Sequence, residues 1–341
     1  MPEGTADLRW GVVGPGRMAA NVAADLHLVD GATLHAVASR SIDRAKAFAD
    51  RHGAAVAYGS YGELLADPDV DAVYVATPHR QHHAIALAAI AAGKHLLVEK
   101  AFTCTLAGAR EVVAAARTAG VFCMEAMWTR FQPAVVRARE LVAAGAIGEV
   151  RGVRADLGIR NPYDPGDRLW AREVGGGALL DLGVYTVAFV QMVLGGSPAA
   201  IEVAGTLAGN GVDEEAAVLW RAADNRAGFA HCSLASPLPG TAAIFGAEGW
   251  IEVPPRFHHP TEIRLHPVGP DGRASSTETI AAPAKGVGYA HEFDEVHRCV
   301  AAGLTESPVM PLDDTLAVIG VLEQALHRLG VHFDEDDGVP L

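Results

Sequence analysis

A glycine turn set between an apolar strand and an amphipathic helix constrains this chain more than any other feature. Residues Leu8 to Leu26 read LRWGVVGPGRMAANVAADL. A short apolar run, Trp10 to Val13, stops at Gly14-Pro15-Gly16, and Met18, Ala19, Val22, Ala23 and Leu26 then recur at helical spacing. Gly14 and Gly16 leave room for a pyrophosphate to touch backbone N–H groups. Ala19 fills the third small position of G-x-G-x-x-G/A, where helix and strand pack closely. The new helix would turn its positive dipole end toward those phosphates. The stretch therefore predicts a dinucleotide-binding strand–turn–helix; the alternative is a plain turn in an α/β domain.

At 341 residues the chain has room for two domains of ~150 residues each, and half its residues are hydrophobic, enough for a large core. A formal net charge of −14 argues against binding nucleic acid through a general basic surface. Cys104, Cys123, Cys232 and Cys299 are scattered without a C-x-x-C, which suits a reducing cytoplasm without a disulfide frame or structural zinc. No basic start precedes an apolar segment before Trp10, and the apolar run Val184 to Leu194 is too short to cross a bilayer. The expectation is a cytoplasmic protein with neither nucleic-acid nor membrane partners. The acidic tail Asp334 to Asp337 reads as a solvated terminus.

The first half continues as alternating strands and helices. Thr33 to Ser39 is a second strand, and its end lies about twenty-five residues past Gly14. An Asp or Glu there suits a free ribose 2′-hydroxyl, whereas arginine suits a 2′-phosphate. This chain has Ser39 and Arg40, with Arg44 one turn into the next helix, so donors and positive charge favour NADP over NAD. Arg17, beside Gly16, is a further candidate for phosphate. The bland alternative makes Arg40 and Arg44 solvated helix-start charges. Helices are expected at Ser41 to Arg51, Tyr61 to Ala66 and Thr105 to Thr118. Strands are expected at Asp69 to Ala76, His95 to Val98 and Val121 to Met124.

The strand Asp69 to Ala76, third in the chain, ends in Thr77-Pro78-His79, and His82 and His83 open the helix that follows. The histidines have no carboxylate or cysteine at ligand spacing, so no metal is expected. His95 to Val98 delivers Glu99-Lys100 at its carboxyl end, where ligands of open α/β sheets bind. A Glu–Lys pair there can orient a nicotinamide and handle a proton; a surface ion pair is the structural alternative.

From Val150 the pattern changes. Val150 to Leu157 is a short run, and the later runs at Ala200 to Leu207, Ala216 to Ala222, Ala227 to Leu234, Ala242 to Phe245, Gly249 to Val253 and Glu262 to Pro267 lack long helices between them. The fold class expected is α/β: an N-terminal doubly wound parallel sheet over residues 1–127, then an α+β domain over 128–341 with an open, mainly antiparallel sheet. Gly175-Gly-Gly177 leads into a helix from Ala178 to Leu194. Asp181 and Tyr185, four apart, would share one face of it. A carboxylate and a phenol on an otherwise apolar helix need partners. They either meet Lys100 and a substrate hydroxyl across an interdomain cleft or bond to each other in the core. Trp128, Phe131, Tyr163 and Trp170 are wall residues or plain packing.

GVVGPGRMA, ASRSIDRA, ATPHRQHHAIA, AGKHLLVEKAF and GGGALLDLGVY, spanning Gly11 to Tyr185, resemble the glucose–fructose oxidoreductase/inositol dehydrogenase family, Gfo/Idh/MocA. MEAMWTRF is especially like its dihydrodiol dehydrogenase branch, whose relatives include NADP-linked xylose dehydrogenases. The resemblance implies a Rossmann domain in which Gly14, Gly16, Arg17 and Met18 follow the cofactor loop and Ser39, Arg40 and Arg44 the adenosine-phosphate site. Thr77, His79 and His82 match a T-P-N-x-x-H segment, with His79 replacing the usual Asn. Glu99 and Lys100 match E-K-P, with Ala101 in place of proline, which removes the usual reason to expect a cis peptide. Arg168 and Tyr289 match residues near the cofactor. Tyr185 stands where many relatives have histidine.

The implied activity is NADP-dependent hydride transfer, with NAD as the other possible cofactor, between nicotinamide and a secondary alcohol or carbonyl of a sugar, cyclic polyol or dihydrodiol. Lys100 would exchange the proton, Tyr185 share the task and Asp181 orient them. A homodimer through the C-terminal sheet is implied. Two other readings are a redox-assisted glycosidase or self-recycling oxidoreductase that retains its cofactor, and a non-catalytic sensor using NADP as a ligand.

Overall fold

The computed structural model describes residues 6–269, 271–273, 275–336 and 338–341. Its contacts form two compact units. The first comprises the chain up to Ala126 with Lys285–Leu316 and Phe333–Leu341; the second comprises Met127–Ala284 and Ala317–His332.

The first unit begins with β1 (Leu8–Val13), α1 (Arg17–Leu26), β2 (Ala32–Ala38), α2 (Ile42–His52), β3 (Val56–Tyr58) and α3 (Tyr61–Ala66). It continues with β4 (Ala72–Val75), α4 (His82–Ala91), β5 (His95–Glu99), α5 (Leu106–Ala119) and β6 (Cys123–Ala126). The parallel strands order as β3-β2-β1-β4-β5-β6, the doubly wound arrangement. β4 is buried at every residue and β1 at all but one, as a parallel strand covered on both faces must be. Local chemistry fixes the helix ends. Ser41 accepts from the Arg44 N–H at the start of α2, and Ser60 with Glu63 forms a capping box on α3. β3 escaped the sequence pattern because a half-buried edge strand of three residues carries no periodicity.

The second unit holds α6 (Pro133–Ala143), β7 (Val150–Gly158), α7 (Val184–Leu194), β8 (Ala200–Leu207), β9 (Asp213–Arg221) and β10 (Ala227–Ser233). β11 (Ala242–Gly246), β12 (Gly249–Val253), β13 (Glu262–Pro267) and β14 (Glu278–Ala281) complete its sheet. The eight strands order as β14-β13-β12-β11-β7-β10-β9-β8, antiparallel except for the parallel pair β7/β10. α7 covers one face of β7 and β10. On the other, Phe229 and Leu219 face each other across β10 and β9 and are 37% and 54% exposed. Arg172–Leu194 has the length and hydropathy to cross a membrane, which the shorter run read from sequence did not. However, 89% of its window is buried inside the protein, as in a core helix.

α8 (Ala290–Ala301) and α9 (Leu312–Arg328) follow. Sequence patterning drew one boundary at residue 127, whereas the packing returns α8 to the first unit. The cause is long-range. Phe293 lies edge-on to Trp10 at 4.6 Å and to Tyr74 at 5.7 Å, and Trp10 Nε1–H donates to His297 Nε2 at 3.0 Å. Part of the acidic tail also differs from the solvated terminus expected. Glu335 accepts from Thr105 N–H at 2.7 Å and Thr105 Oγ1–H at 2.8 Å, and Asp336 N–H donates to Arg80 O at 2.8 Å. Asp337 lies outside the described residues.

Candidate active site

In the first unit β1 and β4 run side by side, with Val13 opposite Val75 and Ala76 N–H donating to Val13 O at 2.9 Å. Helices leave these strands toward opposite faces, so the following loops open a crevice at the switch point. Gly14 has φ +91, and a Cβ there would stand 2.9 Å from Thr77 Cγ2 and 3.0 Å from Ala76 O. Only glycine satisfies both the backbone angle and the approach. Gly16 caps α1 in an extended conformation without a side-chain cap bond, and no acid occupies the first turn. A Cβ on Gly16 would meet open space. Arg17 is exposed at the first helical position, and Met18 is half-buried. Thr77 Oγ1 is buried without a hydrogen-bond partner among the described residues. An open cradle, a helix start without a side-chain cap and an orphaned hydroxyl fit a dinucleotide.

At the end of β2, Ser39 is buried and Arg40 and Arg44 are exposed. Ser39 Oγ accepts from Ser41 N–H at 3.3 Å, and Ser41 Oγ accepts from Arg44 N–H at 3.4 Å, so the serines shape the turn that presents both arginines. The Tyr61 phenol lies close enough to interact with both: burial raises its pKa while Arg40 and Arg44 lower it.

At the end of β5, the buried Glu99 carboxylate accepts from Tyr74 Oη–H at 2.5 Å and from Lys100 N–H at 3.2 Å. Lys100 is half-buried. The Lys100–Ala101 peptide is cis although alanine stands in the proline position, which corrects the expectation from the motif. His82 ties this turn to the neighbouring strand end, its Nδ1 lying 3.0 Å from Ala101 O and its Nε2 2.8 Å from Thr77 O. A neutral imidazole can donate to only one of these carbonyls, and burial lowers the ring's pKa. His82 is thus a brace between the Thr77 and Lys100 loops. His79 stands edge-on to it at 5.8 Å, while His83 turns away to Glu111 at 2.9 Å.

Tyr289 also belongs to the first unit. Its N–H donates to Asp25 Oδ2 at 3.0 Å. Burial, then the Glu99 and Glu292 carboxylates, raise its phenol's pKa, and a hydrogen bond with Asn21 of α1 opposes them. Sequence reasoning missed Tyr74, Glu125 and Glu292. Glu125 accepts from Phe102 N–H at 3.1 Å and so supports the turn after Lys100. Tyr74 lies inside a fully apolar strand pattern and Glu292 on an ordinary amphipathic helix, so neither carries a local signal.

Among the described residues, His35, Asp67 and Asp69 bring potential metal-ligand atoms within 4.8 Å of one another. Asp67 is already engaged by Tyr58 Oη–H at 2.9 Å, His35 Nε2 at 3.1 Å and Asp69 N–H at 2.8 Å. These contacts explain the cluster without an ion.

In the second unit Asp181 lies in a π-helical turn, Leu179–Gly183, that precedes α7. The wider turn breaks the 3.6-residue period on which the shared-face argument for Asp181 and Tyr185 rested. Arg168 Nη1–H donates to Asp181 Oδ1 at 3.0 Å. The Tyr185 ring lies 5.3 Å from that of His258, whose backbone O accepts from Thr129 Oγ1–H at 2.8 Å. His258 was not singled out in the sequence; its only signal is the bare His258-His259 pair. Trp128 stands 5.1 Å from His259 in the same ring cluster. Trp170 is packing: it is buried, with Nε1–H donating to Pro162 O at 3.1 Å.

A family model described as an oxidoreductase family with an NAD-binding Rossmann fold matches residues 8–127, and one for the GFO/IDH/MocA C-terminal domain matches residues 135–252. Trans-1,2-dihydrobenzene-1,2-diol dehydrogenase of Macaca fascicularis is 37% identical, covering 96% of this chain and 99% of the relative. The Danio rerio enzyme of the same name is 36% identical with the same coverage, 96% and 99%. KijD10, a 3-ketoreductase from Actinomadura kijaniata solved with NADP and TDP-benzene, matches with a TM-score of 0.81 at 28% identity, over 94% of this chain and 97% of that one. An aldose-aldose oxidoreductase from Caulobacter crescentus, complexed with glycerol, shares the fold with a TM-score of 0.84 at 23% identity, over 95% and 97% of the two chains. With both of its halves matched and relatives aligned over nearly all its length, the chain belongs to the Gfo/Idh/MocA oxidoreductase family.

Proposed function

We propose that this protein is an NADP-dependent dehydrogenase acting on a secondary alcohol, or on the matching carbonyl, of a sugar, cyclic polyol or dihydrodiol. The observation that carries the reading is the Glu99–Lys100 strand end, braced through His82 to the Thr77 loop beside Gly14. Relatives named as dihydrodiol dehydrogenases over nearly the whole chain support the substrate class. The arginines after Ser39 support the 2′-phosphate, as does a structural relative that holds NADP.

When bound, the nicotinamide supplies or accepts the hydride. The protein manages the other half of the reaction. Lys100 Nζ exchanges the proton of the substrate oxygen, and the Tyr185 phenol shares that transfer. Asp181, with its charge matched by Arg168, orients the reacting groups. Gly14, Gly16, Arg17 and Met18 bind the pyrophosphate. Thr77, His79, His82 and Glu99 shape the nicotinamide end, with Tyr289 buried beside Glu99. The open face carrying Leu219 and Phe229 supports a homodimer through the second unit's sheet.

The test is a panel of sugars, cyclic polyols and dihydrodiols read by NADPH absorbance, with NAD(H) in parallel. Lys100→Met is expected to lower kcat by about 10²–10⁴-fold while NADPH still binds. Normal turnover in that variant would overturn the reading. Substrate conversion without net NADPH change would favour a self-recycling enzyme or a redox-assisted glycosidase. NADP-dependent partner binding without turnover would favour a sensor.

A further inference from the structure

We propose that Asp213 is a positioning residue for the second unit's catalytic turn: its buried carboxylate grips the entry to the π-helical turn and sets how Asp181 is presented. The proposal rests on the reading that Asp181 serves the reaction, but its geometry stands independently. Asp213 opens β9 and is fully buried. Its Oδ2 accepts from Leu179 N–H, the first residue of the π turn, at 2.6 Å. Its Oδ1 has no hydrogen-bond partner among the described residues and lies against Gly177.

Gly177 has φ +127, and a Cβ there would come 2.2 Å from Asp213 Oδ1, so no other residue could sit so close. The Gly177 carbonyl in turn accepts from Asp181 N–H at 3.3 Å. One carboxylate therefore holds the peptide N–H that opens the turn and lies against Gly177, two residues before it. Through Gly177 it bears on the backbone of Asp181, whose side chain Arg168 holds from the opposite end.

The grip depends on charge. An ionised carboxylate is a stronger acceptor for an amide than a carboxylic acid is. Burial pushes the Asp213 carboxyl up to about 7, against the stabilising amides of Leu179, Asp213 itself and Ala178. From β10, the Cys232 thiol interacts with it. That thiol is held neutral by burial first and by the Asp213 charge second, and Glu215 acts weakly in the same direction. Arg168 engages Asp181 on the turn itself. Near neutral pH, Asp213 therefore moves between a strongly and a weakly gripping form.

The experiment compares wild type with Asp213→Asn, which keeps a carbonyl acceptor and cannot ionise. Expected are an acid limb in kcat near pH 7 that flattens in the variant, and a kcat about tenfold lower at pH 8. KM for NADPH stays unchanged, because the phosphate cradle belongs to the other unit. Hydrogen exchange of the 175–183 segment, corrected for intrinsic rate, is read in parallel and needs no turnover. Protection is expected to fall about tenfold from pH 8 to pH 6 in wild type and to stay flat in the variant. Exchange that ignores pH in wild type overturns the proposal, as does a variant with the wild-type kcat profile. If wild type turns over none of the panel, the function reading fails and exchange alone decides the role of Asp213.

Discussion

Arg168 donates through Nη1 to Asp181 Oδ1 at 3.0 Å, and the two partners are unequally exposed: the arginine side chain is 49% accessible and the aspartate 11%. A half-exposed ion pair contributes little to stability because water screens it. It still fixes the direction of an almost buried carboxylate. Arg168→Met is therefore expected to leave thermal unfolding within about 1 kcal/mol of wild type while lowering kcat about tenfold. Melting curves and steady-state kinetics on the best panel substrate check both parts. A variant with wild-type kcat would place the arginine outside the catalytic arrangement.

The proposed preference for NADP rests on the turn shaped by Ser39 and Ser41. Replacing both Arg40 and Arg44 with alanine removes the positive charges but keeps the serine hydrogen bonds to the backbone. KM for NADPH is expected to rise about 10- to 100-fold, the scale of a lost charge-assisted contact, while KM for NADH moves little. Equal changes for the two cofactors would show that the arginines do not read the 2′-phosphate.

Glu292 is fully buried with neither carboxylate oxygen hydrogen-bonded among the described residues. Burial, and then the Glu99 charge, raise its pKa well above the usual carboxylate range. The native state therefore holds a proton that the unfolded chain releases above its ordinary glutamate pKa. The sign follows from linkage: as pH rises past about 4.5, this group makes folding progressively less favourable, by at most about 1.4 kcal/mol per pH unit. Glu292→Gln removes that slope. Urea unfolding at pH 5 and pH 8 is expected to show the variant gaining on wild type as pH rises. A constant difference would mean that Glu292 does not titrate anomalously.

Phe229 and Leu219 face each other across adjacent antiparallel strands on the open side of the second unit's sheet. Changing both to aspartate places two charges on that face without entering the core. Wild type is expected to run as a dimer in light-scattering chromatography and the double variant as a monomer with cofactor binding intact. A monomeric wild type would remove the dimer proposal.

Much of the first unit was legible because its determinants are local. Gly14 must be glycine for its own backbone angle and for Thr77 beside it. Apolar strand runs alternate with capped helices, and Glu99-Lys100 ends a strand that reads plainly as one. The second unit was legible as strands, yet the segment bearing Asp181 was misread as regular helix. The π turn there is supported from β9 by Asp213, more than thirty residues ahead of it in the chain, so the local pattern could not reveal it.

The sequence alone determined the nucleotide-binding turn, the alternation that builds a parallel sheet and the chemistry available at the strand ends, because these follow from backbone sterics and side-chain period within a few residues. Tertiary structure alone decided that Trp10 meets His297 across 287 positions and thereby returns α8 to the first unit. It also decided that Tyr74 anchors Glu99, that Arg168 holds Asp181 and that the Lys100–Ala101 bond is cis. Those arrangements depend on which distant surfaces bury one another, and no local stretch of chain carries that information.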